Sequence, residues 1–356
     1  MSNAVDKLLK KPVNFLAEKA PGIPVVISTR IRLARNLQKF PFPIASNPEL
    51  SCEVAGLIAG VIKRTGALGA RFHSFRISEL DALDKELLLE RRLVSRELLA
   101  GKLFPEVHTS NDERLSVMVN EEDHLRMQVV LPGLQLSKAW KMINKLDDKL
   151  SCELETAYDP DLGYLTACPS NVGTGMRVSV MLHLPALTLA GHIKQLERGL
   201  AKLGLTVRGI FGEGSDNLGN FYQISNQSTL GEGESVIIEN LGRVIDQVIN
   251  HEESVRYDLL EKKRSKLMDL IGRSYGVLRH SYLLSGKEAL CSLSGVRLGV
   301  DMNMFTLLDR QTVNELFIAV SPAHLQKLAG CDLPEAERDA LRAKVVRERL
   351  KQTASK

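Results

Sequence analysis

The chain has 356 residues, of which 44% are hydrophobic and 25% are charged. These proportions are typical of a soluble globular protein, and the length favours two domains. Lys and Arg number 47 against 43 Asp and Glu, so the net charge of +4 gives no support for nucleic-acid binding. No apolar run approaches the roughly 20 residues of a membrane span, and the N-terminus lacks the apolar core of a signal peptide. We therefore expect a cytoplasmic protein without a membrane partner.

The cysteines are odd in number, widely spaced and free of any Cys-x-x-Cys pair. They stand at Cys52, Cys152, Cys168, Cys291 and Cys331. Secreted disulfide frameworks and structural zinc sites both need clustered or paired cysteines. The pattern therefore argues against both a disulfide framework and a zinc site.

The first element with a clear pattern is a strand passing into a turn at 25–36. Arg30 and Arg32 are two residues apart, so on an extended chain their side chains point to the same face. Two neighbouring guanidinium groups repel each other unless an anion lies between them. The apolar residues at 25–27 look buried, which favours anion binding over the alternative of a solvated edge strand.

The middle of the chain alternates helical and strand patterns. Helical periodicity covers 47–66, 78–100 and 137–155, and alternation predicts a strand at 114–120. Three consecutive acids, Glu121 to Asp123, follow that strand. They are either a solvated turn or a place to hold a cation.

The stretch 165–185 combines a thiol, glycines and an arginine. A short apolar approach ends at Cys168, and Gly173 and Gly175 allow a tight turn or a close approach to a ligand. Alternation from Arg177 onward predicts a half-buried strand. A thiol and an arginine then face a glycine-rich loop at the mouth of a sheet, unless the cysteine is an ordinary buried one beside a turn.

The last third of the chain is mostly helical. Before it, glycines around Glu213 in the segment 205–226 indicate a mobile loop or a plain hairpin connection. From residue 233 the pattern is helical to the end apart from short breaks. Arg338 and Arg342 lie one turn apart on one helix face. Taken alone, that pair is more typical of a solvated charged face than of a ligand site.

The string Cys-Pro-Ser-Asn-Val-Gly-Thr-Gly-Met-Arg at 168–177 resembles the signature of the phosphagen (guanidino) kinase family. Its continuation through Met-Leu-His-Leu-Pro-Ala-Leu is most similar to the bacterial protein-arginine kinases. Further family motifs stand at 28–36, 120–126, 208–213 and 338–343. The resemblance covers nearly the whole chain.

The resemblance implies an α+β fold with two domains. A phosphagen-kinase-type catalytic domain at 1–255 would be a largely antiparallel sheet flanked by helices. An all-helical C-terminal domain would follow at 256–356. We expect no counterpart of the helical domain that precedes the 28–36 motif in classical phosphagen kinases, because there is room here only for a short leader.

The resemblance also implies an ATP-dependent protein-arginine kinase. A guanidinium group is protonated and delocalised at pH 7, hence a poor nucleophile. By family match, Glu122 and Glu213 would clamp its nitrogens, aim one at the γ-phosphorus and accept its proton. Cys168 would be a third negative partner near the same cationic group. Orientation would contribute more than proton transfer alone.

An arginine cage would hold the ATP phosphates, with Mg²⁺ bound by phosphates and water, because the chain has no G-x-x-x-x-G-K-[ST] loop. Arg92 stands where family members usually carry a histidine that borders the adenine. The resemblance assigns these residues to the nucleotide: Ser28, Thr29, Arg30, Ile31, Arg32, Arg92, Arg126, Arg177, Val178, Ser179, Val180, Met181, Arg208, Gly209, Ile210, Phe211, Gly212 and Glu213.

A second ligand site is implied near the C-terminus. In the family the motif Arg-Asp-x-x-Arg-Ala forms a phosphoarginine pocket remote from the active site. Here it comprises Arg338, Asp339, Ala340, Leu341, Arg342 and Ala343. The implied partners are protein substrates with exposed arginines, a zinc-finger activator protein, a Clp-type chaperone-protease and further copies of the chain in a homodimer or larger homo-oligomer. Marking proteins for Clp-type proteolysis and stress regulation would be the biological role.

Two other functions remain open. The first is a kinase for free arginine or a related small guanidine, against which the short leader argues. The second is a catalytically inactive reader of phosphoarginine. Retention of both glutamates, the cysteine and the five cage arginines argues against that reader.

Overall fold

The computed structural model describes residues 5–9, 11–17, 24–209 and 217–354, with no side chains described beyond 351. The chain forms two compact units. Unit 1 comprises Met1–Ile27, Met181–Ile224 and Val244–Lys356, and unit 2 comprises Ser28–Val180 and Ser225–Arg243. The domain boundary predicted at residue 255 stays a prediction, and it falls inside one continuous helix, Glu234–Lys262.

Most of the described strands belong to one sheet, in which the spatial order of the strands differs from their order along the chain. The strands are β1 Val26–Arg35, β2 Phe72–Arg76, β3 Glu106–Ser110, β4 Leu115–Val119, β5 Leu125–Pro132, β6 Tyr158–Asp159, β7 Gly163–Tyr164, β8 Met176–His183, β9 Leu205–Gly209 and β10 Phe221–Asn226. Eight of them lie in the order β2-β3-β4-β5-β1-β8-β10-β9, and β6 pairs with β7. The pairs β1–β5, β2–β3, β3–β4 and β4–β5 are all antiparallel. The predicted antiparallel sheet is confirmed.

The helices flank these strands and fill the C-terminal part of the chain. They are α1 Asp6–Leu9, α2 Asn14–Ala17, α3 Pro48–Thr65, α4 Ala82–Glu90, α5 Arg96–Ala100, α6 Leu136–Ser151, α7 Pro185–Leu189, α8 Ile193–Ala201, α9 Glu234–Lys262, α10 Arg264–His280, α11 Gly286–Asp301, α12 Arg310–Ala319, α13 Pro322–Ala329 and α14 Glu335–Ala354. From α9 onward the described elements are all helices, which confirms the predicted helical C-terminal region. Among the described helices, none combines the length and the hydropathy needed to cross a bilayer.

Short polar side chains start several of these helices. Each accepts a hydrogen bond from the backbone N–H three residues later, which satisfies a donor that the helix itself leaves unpaired. The capping residues are Asn47 for α3, Asp81 for α4, Ser95 for α5, Ser285 for α11 and Asp309 for α12. The starts of these five helices therefore follow from local sequence.

The prediction of one helix over 78–100 is wrong. The chain forms α4, which ends at Glu90, and α5, which begins after Ser95. Arg92 has a φ of 60°, in the left-handed region that an α-helix cannot continue through. The break moves Arg92 off a helix face and onto a turn beside the sheet.

Each unit has its own core. In unit 2, α6 buries Ala139, Ile143, Leu146 and Leu150 on one side, at the spacing of a helix face, and it packs against β5. In unit 1, α10 packs closely against α11. A Cβ on Gly299 would stand 2.7 Å from Ile271 Cγ2, so the absence of a side chain there permits the approach.

Candidate active site

Three arginines of unit 2 share one face of the sheet. In the antiparallel register of β1 and β5, Arg32 pairs with Gln128 and Ala34 pairs with Arg126. Paired residues project to the same side, and alternate residues along a strand do too. Arg30, Arg32 and Arg126 therefore point the same way, as the spacing of the first two predicts.

The arginines on this face repel one another. Burial first, and then the charges of Arg92, Arg126 and Arg177, lowers the pKa of Arg30 to about 9. Burial, followed by the charges of neighbouring arginines, also lowers the pKa of Arg32 well below its ordinary range. Arg32 Nε is buried without a hydrogen-bond partner among the described residues. A polyanion on this face would relieve the repulsion and bind that donor, since guanidinium forks suit phosphate oxygens. The face fits nucleotide phosphates.

Glu121 holds Arg126 on this face. Its carboxylate, which is almost wholly buried, accepts hydrogen bonds from Arg126 Nη1 and from Ser95 Oγ. Burial alone would lower the pKa of Arg126, but the charge and hydrogen bond of Glu121 outweigh it and the net pKa is raised. In the sequence Glu121 is one of three consecutive acids, and no local pattern separates its role from those of its neighbours.

Glu122 and Cys168 meet beside the arginines. The Cys168 thiol lies beside the Glu122 carboxyl, whose pKa it lowers slightly, and Cys168 Sγ lies 3.0 Å from Ser170 Oγ. Partial burial, and then the charge of Asp123, raises the pKa of Glu122. A carboxylate with a raised pKa is better suited to accept a proton near neutral pH. The structure thus brings together two of the three predicted catalytic residues.

Asp123 connects the turn of Glu122 to the segment that carries Cys168. The carboxylate is buried, and its Oδ1 accepts from Asn36 Nδ2 at 2.6 Å and from the Ala167 backbone N–H at 2.7 Å. Of the three acids, one therefore binds an arginine, one faces the thiol and one is structural. Among the described residues, no group of three His, Cys, Asp or Glu side chains could hold a metal ion.

The charge of Arg92 acts on the arginines of this face. Its backbone carbonyl accepts from Gln128 Nε2 at 2.7 Å, and Gln128 is the register partner of Arg32. Burial lowers the pKa of Arg92 to about 10, and its charge contributes to the lowered pKa of Arg30. A contact between Arg92 and adenine stays a prediction.

Other residues assigned to the nucleotide have side chains that are hydrogen-bonded within the protein or buried. Thr29 Oγ1 donates to the Gly133 carbonyl at 2.7 Å, and Ser179 Oγ donates to the Arg30 carbonyl at 3.3 Å. The following are buried: Ser28, Ile31, Val178, Val180 and Met181. Any nucleotide contact from these strand positions stays a prediction.

The segment that carries the family's second carboxylate, Glu213, is described only in part. Arg208 and Gly209 end β9 in unit 1 and are exposed. The predicted residues Ile210, Phe211, Gly212 and Glu213 lie outside the described residues. The roles of Arg208 and Glu213 therefore stay predictions.

The implied phosphoarginine motif lies at the start of α14 in unit 1. Arg342 is buried and donates to the Val320 carbonyl at 2.9 Å, to the Leu284 carbonyl at 2.8 Å and to the Asp339 carboxylate. Arg338 differs, because its Nε is buried without a partner in the described part of the chain. The structure therefore ties Arg342 into the helical unit and leaves Arg338 with a donor to offer.

The remaining motif positions differ in exposure. Ala340 is exposed, Leu341 is half-buried and Ala343 is buried. Their part in a phosphoarginine pocket stays a prediction.

The sheet with its arginine face and the Glu122–Cys168 pair defines the class of a guanidino phosphotransferase. Residues 53–255 match the family described as ATP:guanido phosphotransferase, C-terminal catalytic domain, and residues 264–356 match the Protein-arginine kinase McsB C-terminal domain. The chain belongs to the protein-arginine kinase family. The prediction made from the motifs is confirmed, and the protein is a phosphotransferase.

Individual relatives agree with this assignment. The protein-arginine kinase of Halothermothrix orenii is 43% identical over 345 residues, which are 97% of this chain and 98% of the relative. That of Syntrophomonas wolfei is 45% identical over 335 residues, which are 94% and 93%. Among solved structures, the duplicated taurocyamine kinase from Schistosoma mansoni with bound transition state analog components has a TM-score of 0.59 at 25% identity. That alignment covers 69% of this chain and 35% of the duplicated enzyme.

Proposed function

We propose that the protein transfers the γ-phosphoryl group of ATP to arginine side chains of proteins. The observation that carries this proposal is the neighbouring pair of Glu122 and Cys168 beside a face of mutually repelling arginines. One part offers negative groups to a guanidinium, and the other offers positive groups to phosphates. Family membership supports a protein arginine as the acceptor.

In this reaction the carboxylate of Glu122 hydrogen-bonds the substrate guanidinium and aims one nitrogen at the γ-phosphorus. As the N–P bond forms, the bond between the γ-phosphorus and the bridging oxygen breaks, and ADP leaves. Glu122 accepts the proton that the attacking nitrogen loses, which its raised pKa favours. The products are ADP and an N-phosphoarginine side chain.

Arg30, Arg32 and Arg126 hold the phosphate oxygens while charge moves across them. Phosphoryl transfer needs mainly positioning and charge stabilisation, which fixed guanidinium groups supply. Mg²⁺ bound by phosphates and water would neutralise part of the phosphate charge. Glu121 keeps Arg126 oriented before the nucleotide arrives, because its carboxylate is buried against that guanidinium.

The wider role is also a proposal. We propose that phosphoarginine marks proteins for a Clp-type chaperone-protease during stress regulation, in the cytoplasm, with a zinc-finger activator and self-association into dimers or larger assemblies. Family membership supports protein substrates, and the resemblance of the motifs is the ground for the other partners. We further propose that α14 binds phosphoarginine through Arg338, whose buried Nε offers a donor.

The test is to incubate the purified chain with ATP, Mg²⁺ and a folded protein, and separately with free arginine at equal concentration. Acid-labile phosphate located on arginine by mass spectrometry, with a larger kcat/KM for the protein, is the expected result. A larger kcat/KM for free arginine would support a small-molecule kinase, and binding of phosphoarginine without any turnover would support an inactive reader.

A further inference from the structure

Arg35 closes β1 and belongs to the same motif as Arg30 and Arg32, but it lies on the other side of the sheet. Side chains alternate along a strand, so an odd position projects away from the even ones. Arg35 is only 2% exposed. A buried charge is costly unless it is paired and hydrogen-bonded. Its partners therefore indicate its role.

The guanidinium of Arg35 has partners from three parts of unit 2. Nη2 donates to Asp147 Oδ2 on α6 at 2.7 Å, and Nη1 donates to the Thr174 carbonyl at 3.0 Å. The guanidinium carbon also lies 3.4 Å from the centroid of the Tyr164 ring. Nη1 donates as well to the Ala34 carbonyl at 2.8 Å.

Tyr164 and Thr174 are the two ends of the segment that carries Cys168, which we call the thiol loop (residues 164–174). The ends are paired, since Tyr164 N–H donates to the Gly173 carbonyl at 2.8 Å. A Cβ on Gly175 would stand 2.7 Å from Arg35 Nη1 and 2.7 Å from the Ala34 carbonyl oxygen. The bare glycine backbone therefore admits the guanidinium at the base of the loop.

The neighbouring Asn36 holds the inside of the same loop. Its Nδ2 donates to the Leu165 carbonyl at 3.2 Å and to Asp123 Oδ1 at 2.6 Å. Asp123 in turn accepts from the Ala167 N–H. The end of β1 thus fixes the loop against the turn that carries Glu122.

We propose that Arg35 is a positioning residue for Cys168: it holds both ends of the thiol loop so that the thiol meets Glu122. The proposal rests on the proposed function in that Cys168 and Glu122 act on the substrate guanidinium. Arg35 projects from the opposite face of β1 to Arg30 and Arg32, away from the proposed phosphate site. Its loss therefore affects the rate of the chemical step and leaves nucleotide binding to Arg30 and Arg32.

The first variant replaces the whole buried ion pair, Arg35→Met with Asp147→Leu. Apolar residues of similar volume often replace a buried pair without loss of folding, whereas removal of one partner strands a charge. We expect kcat to fall by about 10- to 100-fold with KM for ATP unchanged, because small misplacements cost up to about 10²-fold. Amide hydrogen exchange of the thiol loop should accelerate by about tenfold or more, as its restraint is lost.

The matched control is Arg91→Met with Glu113→Leu. This pair is also buried in unit 2, with Arg91 Nη2 2.7 Å from Glu113 Oε1, but it has no contact with the thiol loop among its described hydrogen bonds. Its replacement should leave amide exchange of the thiol loop at the parental rate. Faster exchange in both double variants would overturn the specific role of Arg35.

A second pair of variants avoids any buried charge. Tyr164→Leu removes the ring face beneath the guanidinium, and Tyr164→Phe keeps it. We expect Tyr164→Leu to have a lower kcat and faster amide exchange of the thiol loop, as in the first variant. Tyr164→Phe should keep the parental kcat and the parental exchange rate. Parental kcat and exchange in both Tyr164→Leu and the Arg35/Asp147 variant would overturn the proposal.

Amide exchange needs no turnover, so it separates this proposal from the proposed function. Faster loop exchange in the variants of a parent that phosphorylates no protein arginine would refute the proposed function and support Arg35 as the holder of the loop. Parental loop exchange in the variants of an active parent would overturn only the role of Arg35.

Discussion

Glu122→Gln tests the proposed chemistry most directly. The substitution keeps the size of the side chain and its ability to hydrogen-bond Cys168, but it removes the charge and the proton acceptor. Loss of a general base costs typically about 10²- to 10⁴-fold in rate. KM for ATP should change little, because the proposed phosphate site is formed by Arg30 and Arg32 and not by this carboxylate. We therefore expect kcat to collapse with nucleotide binding intact.

The stability of this variant has a predictable sign. The pKa of Glu122 is raised in the folded protein, by partial burial first. The folded state then binds the proton more tightly than the unfolded chain, so stability falls as pH rises through the raised pKa. Glutamine carries no charge at any pH, so the variant should be as stable as the parent at neutral pH or slightly more so. Substitutions at exposed positions such as Glu122 usually change the free energy of unfolding by less than about 0.5 kcal/mol.

The assay is the pH dependence of kcat/KM, with urea denaturation in parallel. In the parent, activity should fall as pH decreases through the raised pKa of Glu122, because the base becomes protonated. Glu122→Gln should lose this acid limb, whereas Glu86→Gln, an exposed glutamate of unit 2, should keep it. Parental kcat and an unchanged acid limb in Glu122→Gln would show that Glu122 is not the base.

Three further predictions concern other parts of the molecule. Arg32→Gln removes one charge from a group of mutually repelling arginines, so the thermal midpoint should stay the same or rise. Titration with ATP should show a Kd about tenfold higher or more, because a phosphate contact is lost. Gly175→Ala places a Cβ against Arg35 at a φ of 62°, so urea unfolding should show a loss of about 1–3 kcal/mol, and a parental midpoint would contradict it. Arg338→Ala should weaken phosphoarginine binding in calorimetry with stability unchanged, whereas Arg342→Ala should mainly lower stability; equal effects of the two would refute the distinction.

Local patterns in the sequence predict much of the fold and part of the site. Alternation places Arg30 and Arg32 on one face, and the β1–β5 register confirms that geometry. The resemblance puts Glu122 and Cys168 at one substrate guanidinium, and the structure has the two residues as neighbours. These features repeat with the period of a strand or depend on motifs read within a short stretch, so sequence carries them.

Tertiary structure decided how similar residues divide their tasks. Glu121, Glu122 and Asp123 are consecutive acids, but each meets a different group. Glu121 binds Arg126, and Glu122 lies beside Cys168. Asp123 accepts hydrogen bonds from Asn36 and Ala167. The break of the predicted 78–100 helix at Arg92 likewise accompanies a hydrogen bond from Gln128, far along the chain.

The arginines show the same division. By itself the sequence determined that β1 carries arginines on an extended chain, and alternation already separates Arg35 from Arg30 and Arg32. Only the tertiary structure decided that Arg35 meets Asp147, Tyr164 and Thr174, while the backbone carbonyls of Leu284 and Val320 bind Arg342. The physical reason is that hydrogen bonds and buried charges depend on residues brought together by packing, whereas periodicity depends only on neighbours along the chain.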